Sequence, residues 1–246
     1  MSTVVVLHGF TGDGDTMASI VDRLPGRVEA PDLPGHGRGP HPTDPDRYSV
    51  DAMAWSVVGD RRDPVHLVGY SMGGRVALTA ACRFPDKVRS LSLIGASAGI
   101  VDPVERAARA AADDAQADTI EGDLAAFVDR WMANPLFATQ RRLGPSFLAS
   151  ARAQRLRNDP VALAASLRAN STGRMHALHD ALPSCRVPTA VIAGADDPKF
   201  VAIAHDLVAR LPDATVHVVE RAGHAVHLEQ PEAVVDAIVA TIIRAA

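Results

Sequence analysis

Five short runs of β-branched and aliphatic residues recur along the chain without sustained apolar–polar alternation. They are "TVVVLHG" at 3–9, "PVHLVGY" at 64–70, "VRSLSLIGA" at 88–96, "TAVIAGA" at 189–195 and "TVHVVE" at 215–220. Runs of this kind, bounded by Gly, Pro or Asp, predict parallel strands covered on both faces. Helical periodicity falls between them, near 16–24, 50–58, 73–83, 201–211 and 231–244. Strand alternating with helix predicts an α/β fold, a doubly wound and mostly parallel sheet of about six strands. The alternation breaks between about 98 and 182, where no strand pattern is found and Ala, Arg and Leu dominate. Within that stretch Leu124, Phe127, Val128 and Trp131 share one helix face. The expectation is a helical cap, 98–182, inserted into a core formed by 1–97 and 183–246.

Composition narrows this picture. A chain of 246 residues with 47% hydrophobic residues and a net charge of −4 can bury a large core and does not read as disordered. The charge balance argues against nucleic acid as a partner. No run reaches the ~20 apolar residues of a membrane span. The start "MSTVVVLHGF" has no basic leader, and Cys82 and Cys185 are the only cysteines, so a cytoplasmic protein is expected. Nothing in the sequence sets an oligomeric state. Of 25 basic side chains only Lys87 and Lys199 are lysine, leaving 23 arginines. An arginine therefore says little by type, and its position must carry the argument. No internal repeat is evident, although "AARAAADDAQA" approaches compositional bias.

"GYSMG" at 69–73 fits G-x-S-x-G and lies between an apolar run and the helix-like "GRVALTAACRF", the strand–turn–helix setting of a nucleophile elbow. Outside that setting it would be only a glycine-rich turn with a bystander serine. Ser71 then requires a base and an orienting acid, in the order Ser, Asp, His. "AGADDPKF" supplies Asp196 and Asp197, and "RAGHAVHLEQP" supplies His224 and His227, each after a strand. Strand logic does not separate the members of either pair, and each has a structural reading, as a helix cap or a packed imidazole. His224 and His227 are also spaced like metal ligands, but no third ligand has suitable spacing, so no metal or other cofactor is expected. "LHGF" after the first strand and the residue after the serine supply the backbone N–H groups of Phe10 and Met72 for an oxyanion hole. "DLPGHGRG" reads as a structural Gly/Pro turn.

These motifs resemble the α/β-hydrolase superfamily. "LHGFTGDGDTM", "DLPGHG", "GYSMGGRVAL", "ERAAR", "FVDRWMANPLFA", "ADDPKFVAIA" and "AGHAVHLEQPEAV" together resemble, within it, the 2-succinyl-6-hydroxy-2,4-cyclohexadiene-1-carboxylate synthases of menaquinone biosynthesis. The resemblance covers nearly the whole chain; "GYSMGGR" and "PLFA" are its more specific parts. It implies Ser71 as nucleophile, His224 as base and Asp197 as acid. It also implies substrate contacts from Arg75, Arg109, Arg152, Tyr70 and Trp131, and a lyase that releases pyruvate from a small polycarboxylate by abstracting a ring proton.

Arg75 carries a positional argument of its own. A cation in the first turn of a helix opposes the helix dipole by roughly 0.3–1 kcal/mol unless an anion sits nearby. A carboxylate held over the elbow would be such an anion, as would a buried acid of the protein itself. Arg109 and Arg152 could equally be solvated cap residues. Two departures from the family pattern stand out. "STGRMHALHDAL" lacks the Gln-Pro and Leu-Trp often found there and introduces His176 and His179, and the usual N-terminal hairpin is absent or greatly reduced. The same triad and oxyanion hole also suit a carboxylesterase or a carbon–carbon bond hydrolase, and the scaffold can serve a noncatalytic binding protein. Pyruvate release measured against short-chain ester hydrolysis discriminates among the three.

Overall fold

The computed structural model describes residues 3–246. Six strands form one sheet in the order β2-β1-β3-β4-β5-β6, and every pairing is parallel. They are β1 (Thr3–Leu7), β2 (Arg27–Glu29), β3 (Val65–Tyr70), β4 (Val88–Ile94), β5 (Thr189–Gly194) and β6 (Ala214–Val219). The short β2 is an edge strand beside β1, and among the described residues no antiparallel hairpin adjoins it.

Burial explains why the strand sequences lack a polar face. Along β1, Val4 and Val6 pack with Ile192, Val234 and Ile238 on one side of the sheet. Val5 and Leu7 join Met53, Val76 and Leu78 on the other. The layers are α1 (Ala18–Val21) and α10 (Pro231–Arg244) on the first side, with α2 (Val50–Val58), α3 (Met72–Arg83) and α8 (Pro198–Arg210) on the second. The expected helix at 16–24 is instead a 3₁₀ turn, Gly14–Met17, followed by the single turn α1. Asp13 and Thr16 form a reciprocal capping box that starts the turn early. Helix α8 starts earlier than the expected 201 because Pro198 occupies its first position behind the Asp197 cap.

Between β4 and β5 there is no strand. That stretch holds α4 (Pro103–Gly122), α5 (Leu124–Met132), the 3₁₀ segment Pro135–Leu143, α6 (Pro145–Arg155) and α7 (Pro160–Ala169). These helices have their own apolar centre, in which Ile120, Phe127, Val128, Leu163 and Leu167 are buried and Leu124 and Trp131 pack against them. Polar ties join them to the sheet loops: Asn158 Oδ1 accepts from Gly37 N–H at 2.9 Å, and Gln154 Nε2 donates to Asp13 Oδ2 at 3.0 Å. A short α9 (Val226–Glu229) completes the chain before α10. Among the described residues no helix is long and apolar enough to cross a membrane.

Candidate active site

The elbow is built by close backbone approach. Ser71 lies between β3 and α3 with φ 51° and ψ −106°, a left-handed conformation that costs a non-glycine residue about 1–3 kcal/mol. The flanking glycines make so tight a turn possible. A Cβ on Gly69 would lie 2.4 Å from Gly73 O, and one on Gly73 would lie 2.4 Å from Leu7 O.

Ser71 Oγ–H donates to His224 Nε2 at 3.2 Å, and His224 Nδ1–H donates to Asp197 Oδ2 at 3.1 Å. Asp197 Oδ1 accepts from Phe200 N–H at 3.2 Å, so one carboxylate caps α8 and orients the imidazole together. The helix-cap reading and the contact with the imidazole thus hold for one and the same aspartate. Asp196 points elsewhere, accepting from Arg142 Nη1 at 2.6 Å. His227 is buried with its ring 4.3 Å from that of Tyr70, and burial followed by repulsion from His224 lowers its pKa to about 3. It is a packed neutral imidazole in α9, three residues beyond His224. Glu229, which sequence reasoning passed over, fixes the His224 loop by accepting from Gly223 N–H at 3.2 Å and Thr139 Oγ at 2.9 Å.

The loop after β1 is held by His8, whose Nδ1–H donates to Gly9 O while Nε2 accepts from Leu33 N–H, both at 2.9 Å. Gly9 itself must lack a side chain, since a Cβ there would lie 2.7 Å from the Tyr70 ring. Around the elbow, Ser71 N–H and Gly73 N–H are taken by Ile94 O at 2.9 Å and His8 O at 3.1 Å. No loop or turn carbonyl among the described residues accepts from Phe10 N–H or Met72 N–H.

A cavity of about 260 Å³ opens over Ser71 and His224, near the lower end of the ~300–1,000 Å³ of small-molecule sites. Phe10, Tyr70, Met72, Arg75, Arg109 and Trp131 line it. Its aromatic wall is Trp131 with Phe10 edge-on at 5.4 Å and Phe137 at 5.5 Å. Burial pushes the Tyr70 phenol pKa up, so it stays protonated.

The arginines divide three ways. Arg75 is buried, with Nη1 donating to Asn170 O at 2.5 Å and Nη2 to Asn170 Oδ1 at 3.4 Å, and no carboxylate among the described residues forms an ion pair with it. Burial, then repulsion from Arg109, lowers its pKa to about 10, with Asp113 opposing. Arg109 reaches the same cavity, but its Nε donates to buried Asp113 at 2.8 Å, and Asp113 also accepts from Ser171 Oγ at 2.7 Å. Arg152 is not brought to the cavity, contrary to expectation. The facing Asp129 of α5 takes its Nε and Nη2 at 2.6 and 3.0 Å on the exposed side. Three residues on, Arg155 lines a small neighbouring pocket that shares Phe10, Tyr70, Trp131 and Phe137 with the cavity, its Nε buried without a partner. Among 23 arginines no sequence signal distinguished Arg155 from Arg152. In the altered stretch 171–182, Met175 Sδ contacts Arg75 Nη1 at 3.8 Å and His176 pairs with Asp51 at 3.2 Å on the surface.

Known proteins resemble this chain over nearly its whole length. A family model described as the α/β hydrolase fold matches residues 2–231. A Bacillus subtilis protein named as a 2-succinyl-6-hydroxy-2,4-cyclohexadiene-1-carboxylate synthase is 38% identical over 93% of this chain and 85% of its own length. A Klebsiella pneumoniae protein of the same name is 34% identical over 94% of this chain and 90% of its own. The solved structure of MenH from S. aureus superposes with a TM-score of 0.92 at 30% identity, covering 99% of this chain and 94% of that one. With likeness at this level over more than nine-tenths of its length, the chain belongs to the α/β-hydrolase family and, within it, to the 2-succinyl-6-hydroxy-2,4-cyclohexadiene-1-carboxylate synthases.

Proposed function

We propose that this protein is a carbon–oxygen lyase that releases pyruvate from 2-succinyl-5-enolpyruvyl-6-hydroxy-3-cyclohexene-1-carboxylate. Turning a 3-ene with a leaving group at C5 into a 2,4-diene removes the proton at C2 and breaks the C5–O bond. The electron pair from C2–H forms C2=C3, the old double bond moves to C4=C5, and the C5–O pair leaves with the enol of pyruvate. The C2 proton lies next to the succinyl ketone, so charge develops on that carbonyl oxygen.

Each step has a candidate group. Ser71 Oγ takes the C2 proton as its own passes to His224 Nε2, and Asp197 steadies the imidazolium. Phe10 N–H and Met72 N–H stabilise the enolate oxygen, acting where charge appears in the transition state. The imidazolium then returns its proton to the leaving oxygen or to water, and the enol tautomerises to pyruvate. No acyl-enzyme is required. Arg75 and Arg155 hold carboxylates, Tyr70 and Trp131 shape the wall, and residues 98–182 act as a cap over the site. The free thiols of Cys82 and Cys185 fit a cytoplasmic setting.

The observation that carries this reading is Arg75, a buried cation without an acidic partner in the cavity that also holds Ser71 and His224. A neutral ester gives such a charge nothing to meet, whereas a polycarboxylate does. Purified protein incubated with the enolpyruvyl substrate should release pyruvate rapidly while hydrolysing a short-chain nitrophenyl ester slowly. Ser71→Ala should abolish pyruvate release and leave the melting temperature close to wild type. Fast ester hydrolysis without pyruvate release would instead assign the site to a hydrolase.

A further inference from the structure

In a chain that meets 23 of its 25 basic positions with arginine, each lysine invites a reason. Lys87 has one: its Nζ donates to Arg61 O at 2.6 Å and ties two loops together. Lys199 has none of that kind. It is exposed, it lines the cavity over Ser71 and His224, and no carboxylate among the described residues forms an ion pair with it. Its one ring contact is Phe200, 5.9 Å from Nζ to the centroid, and the Phe200 ring lies 4.4 Å from His224. The ammonium therefore stands on the imidazole side of the cavity. It also sits in the first turn of α8, where a positive charge opposes the helix dipole.

We propose that Lys199 receives the carboxylate of the leaving enolpyruvyl group and holds the released pyruvate at the cavity rim, a specificity-determining role that rests on the lyase reading above. The substrate carries three carboxylates, of which two stay on the ring product and one departs. A retained carboxylate suits a buried guanidinium locked by Asn170, as Arg75 is. A departing one suits a hydrated point charge on a flexible stem, because the ammonium can follow the anion toward water without breaking a fixed fork of hydrogen bonds. Arg109 is poorly suited to that task, since Asp113 already takes part of its charge.

The test uses the full-length enzyme with Lys199→Met, Lys199→Arg and, as a control outside the site, Lys87→Met. Pyruvate release gives kcat and KM, pyruvate itself serves as product inhibitor, and a neutral nitrophenyl ester reports on the Ser71–His224 pair. Lys199→Met should raise both KM and the pyruvate inhibition constant about 10-fold, as expected for loss of one charge-assisted contact. Its kcat and its ester hydrolysis should stay near wild type, Lys199→Arg should recover most of the KM, and Lys87→Met should change neither constant. Unchanged KM and pyruvate inhibition in Lys199→Met would overturn the proposal while leaving the lyase reading intact. A fall in kcat on both substrates with KM unchanged would assign Lys199 to packing Phe200 against His224, and would also overturn it. Wild-type protein that releases no pyruvate would sink the lyase reading and this proposal with it.

Discussion

Replacing Arg75 with glutamine removes the cation and leaves a neutral polar amide, two bonds shorter, in the same place. In the structure this guanidinium has two acceptors on one asparagine and no carboxylate, and burial holds its pKa down near 10. Its charge is thus a cost to the folded protein, offset only when an anion occupies the cavity. A hydrogen bond to a charged group contributes roughly 1.5–3 kcal/mol. With tenfold per 1.4 kcal/mol, kcat/KM for pyruvate release should fall about 10- to 150-fold.

Two controls give this number its meaning. Hydrolysis of a neutral nitrophenyl ester uses Ser71 and His224 but no substrate carboxylate, so it should change less than about threefold if the elbow is undamaged. The melting temperature should hold or rise, since removing a buried unpaired cation relieves desolvation and an unfavourable helix-dipole contact. Unchanged kcat/KM for pyruvate release would remove Arg75 from substrate binding. Equal losses on both substrates, or a clear loss of stability, would show that Arg75 holds the elbow through Asn170 instead.

Two further outcomes follow from named contacts. Asp197→Asn should lower pyruvate release by at least about 100-fold, because it disturbs the tautomer and orientation of His224, whereas Asp196→Asn, which loses only Arg142, should stay within about twofold of wild type; equal effects in a kinetic comparison would contradict the assignment. Stability should fall as pH drops from about 6.5, because His36 and His227 are held neutral with pKa values lowered by burial to about 3 from an ordinary 6.5. Between those limits the unfolded chain binds more protons, so each histidine's contribution is present above about pH 6.5 and lost toward pH 3, on the order of 2 kcal/mol by pH 5. A urea midpoint that does not move between about pH 7 and 5, above the carboxylate range, would contradict that burial.

Much of this was legible because backbone constraints leave a mark in sequence. The strands facing helices on both sides had to be apolar throughout, as Val4 to Leu7 show by packing alternately into the two layers. The elbow had to carry glycine wherever backbone touches backbone, as at Gly69 and Gly73. Side-chain choices made across the fold left no such mark. Asp196 and Asp197 are adjacent in sequence, and only the direction of α8 decides which one faces His224. Arg152 and Arg155 lie on neighbouring turns of one helix, and the difference between them is an acid, Asp129, contributed by another. The early start of α8 followed from a proline whose helical use depends on the cap before it.

What turns a hydrolase scaffold toward elimination is therefore not found in the Ser71–His224–Asp197 chain, which would serve either reaction. An ester substrate offers its carbonyl carbon to the serine oxygen, and the oxyanion hole waits beside that carbon. For elimination the same oxygen must meet a hydrogen on the ring carbon next to a ketone, with the ketone oxygen in the same hole. That is a shift of one bond in the substrate's position, small enough for the anchors at the far ends of the molecule to set it. On the reading proposed here, a buried Arg75 locked to Asn170, a wall of Trp131 and Phe137, and cations at the cavity edge would fix where the carboxylates lie, and hence which atom is presented to Ser71. Reaction type on this scaffold is then a property of substrate register. Loosening the anchors should cost proton abstraction far more than hydrolysis of a small neutral ester, which needs no such register.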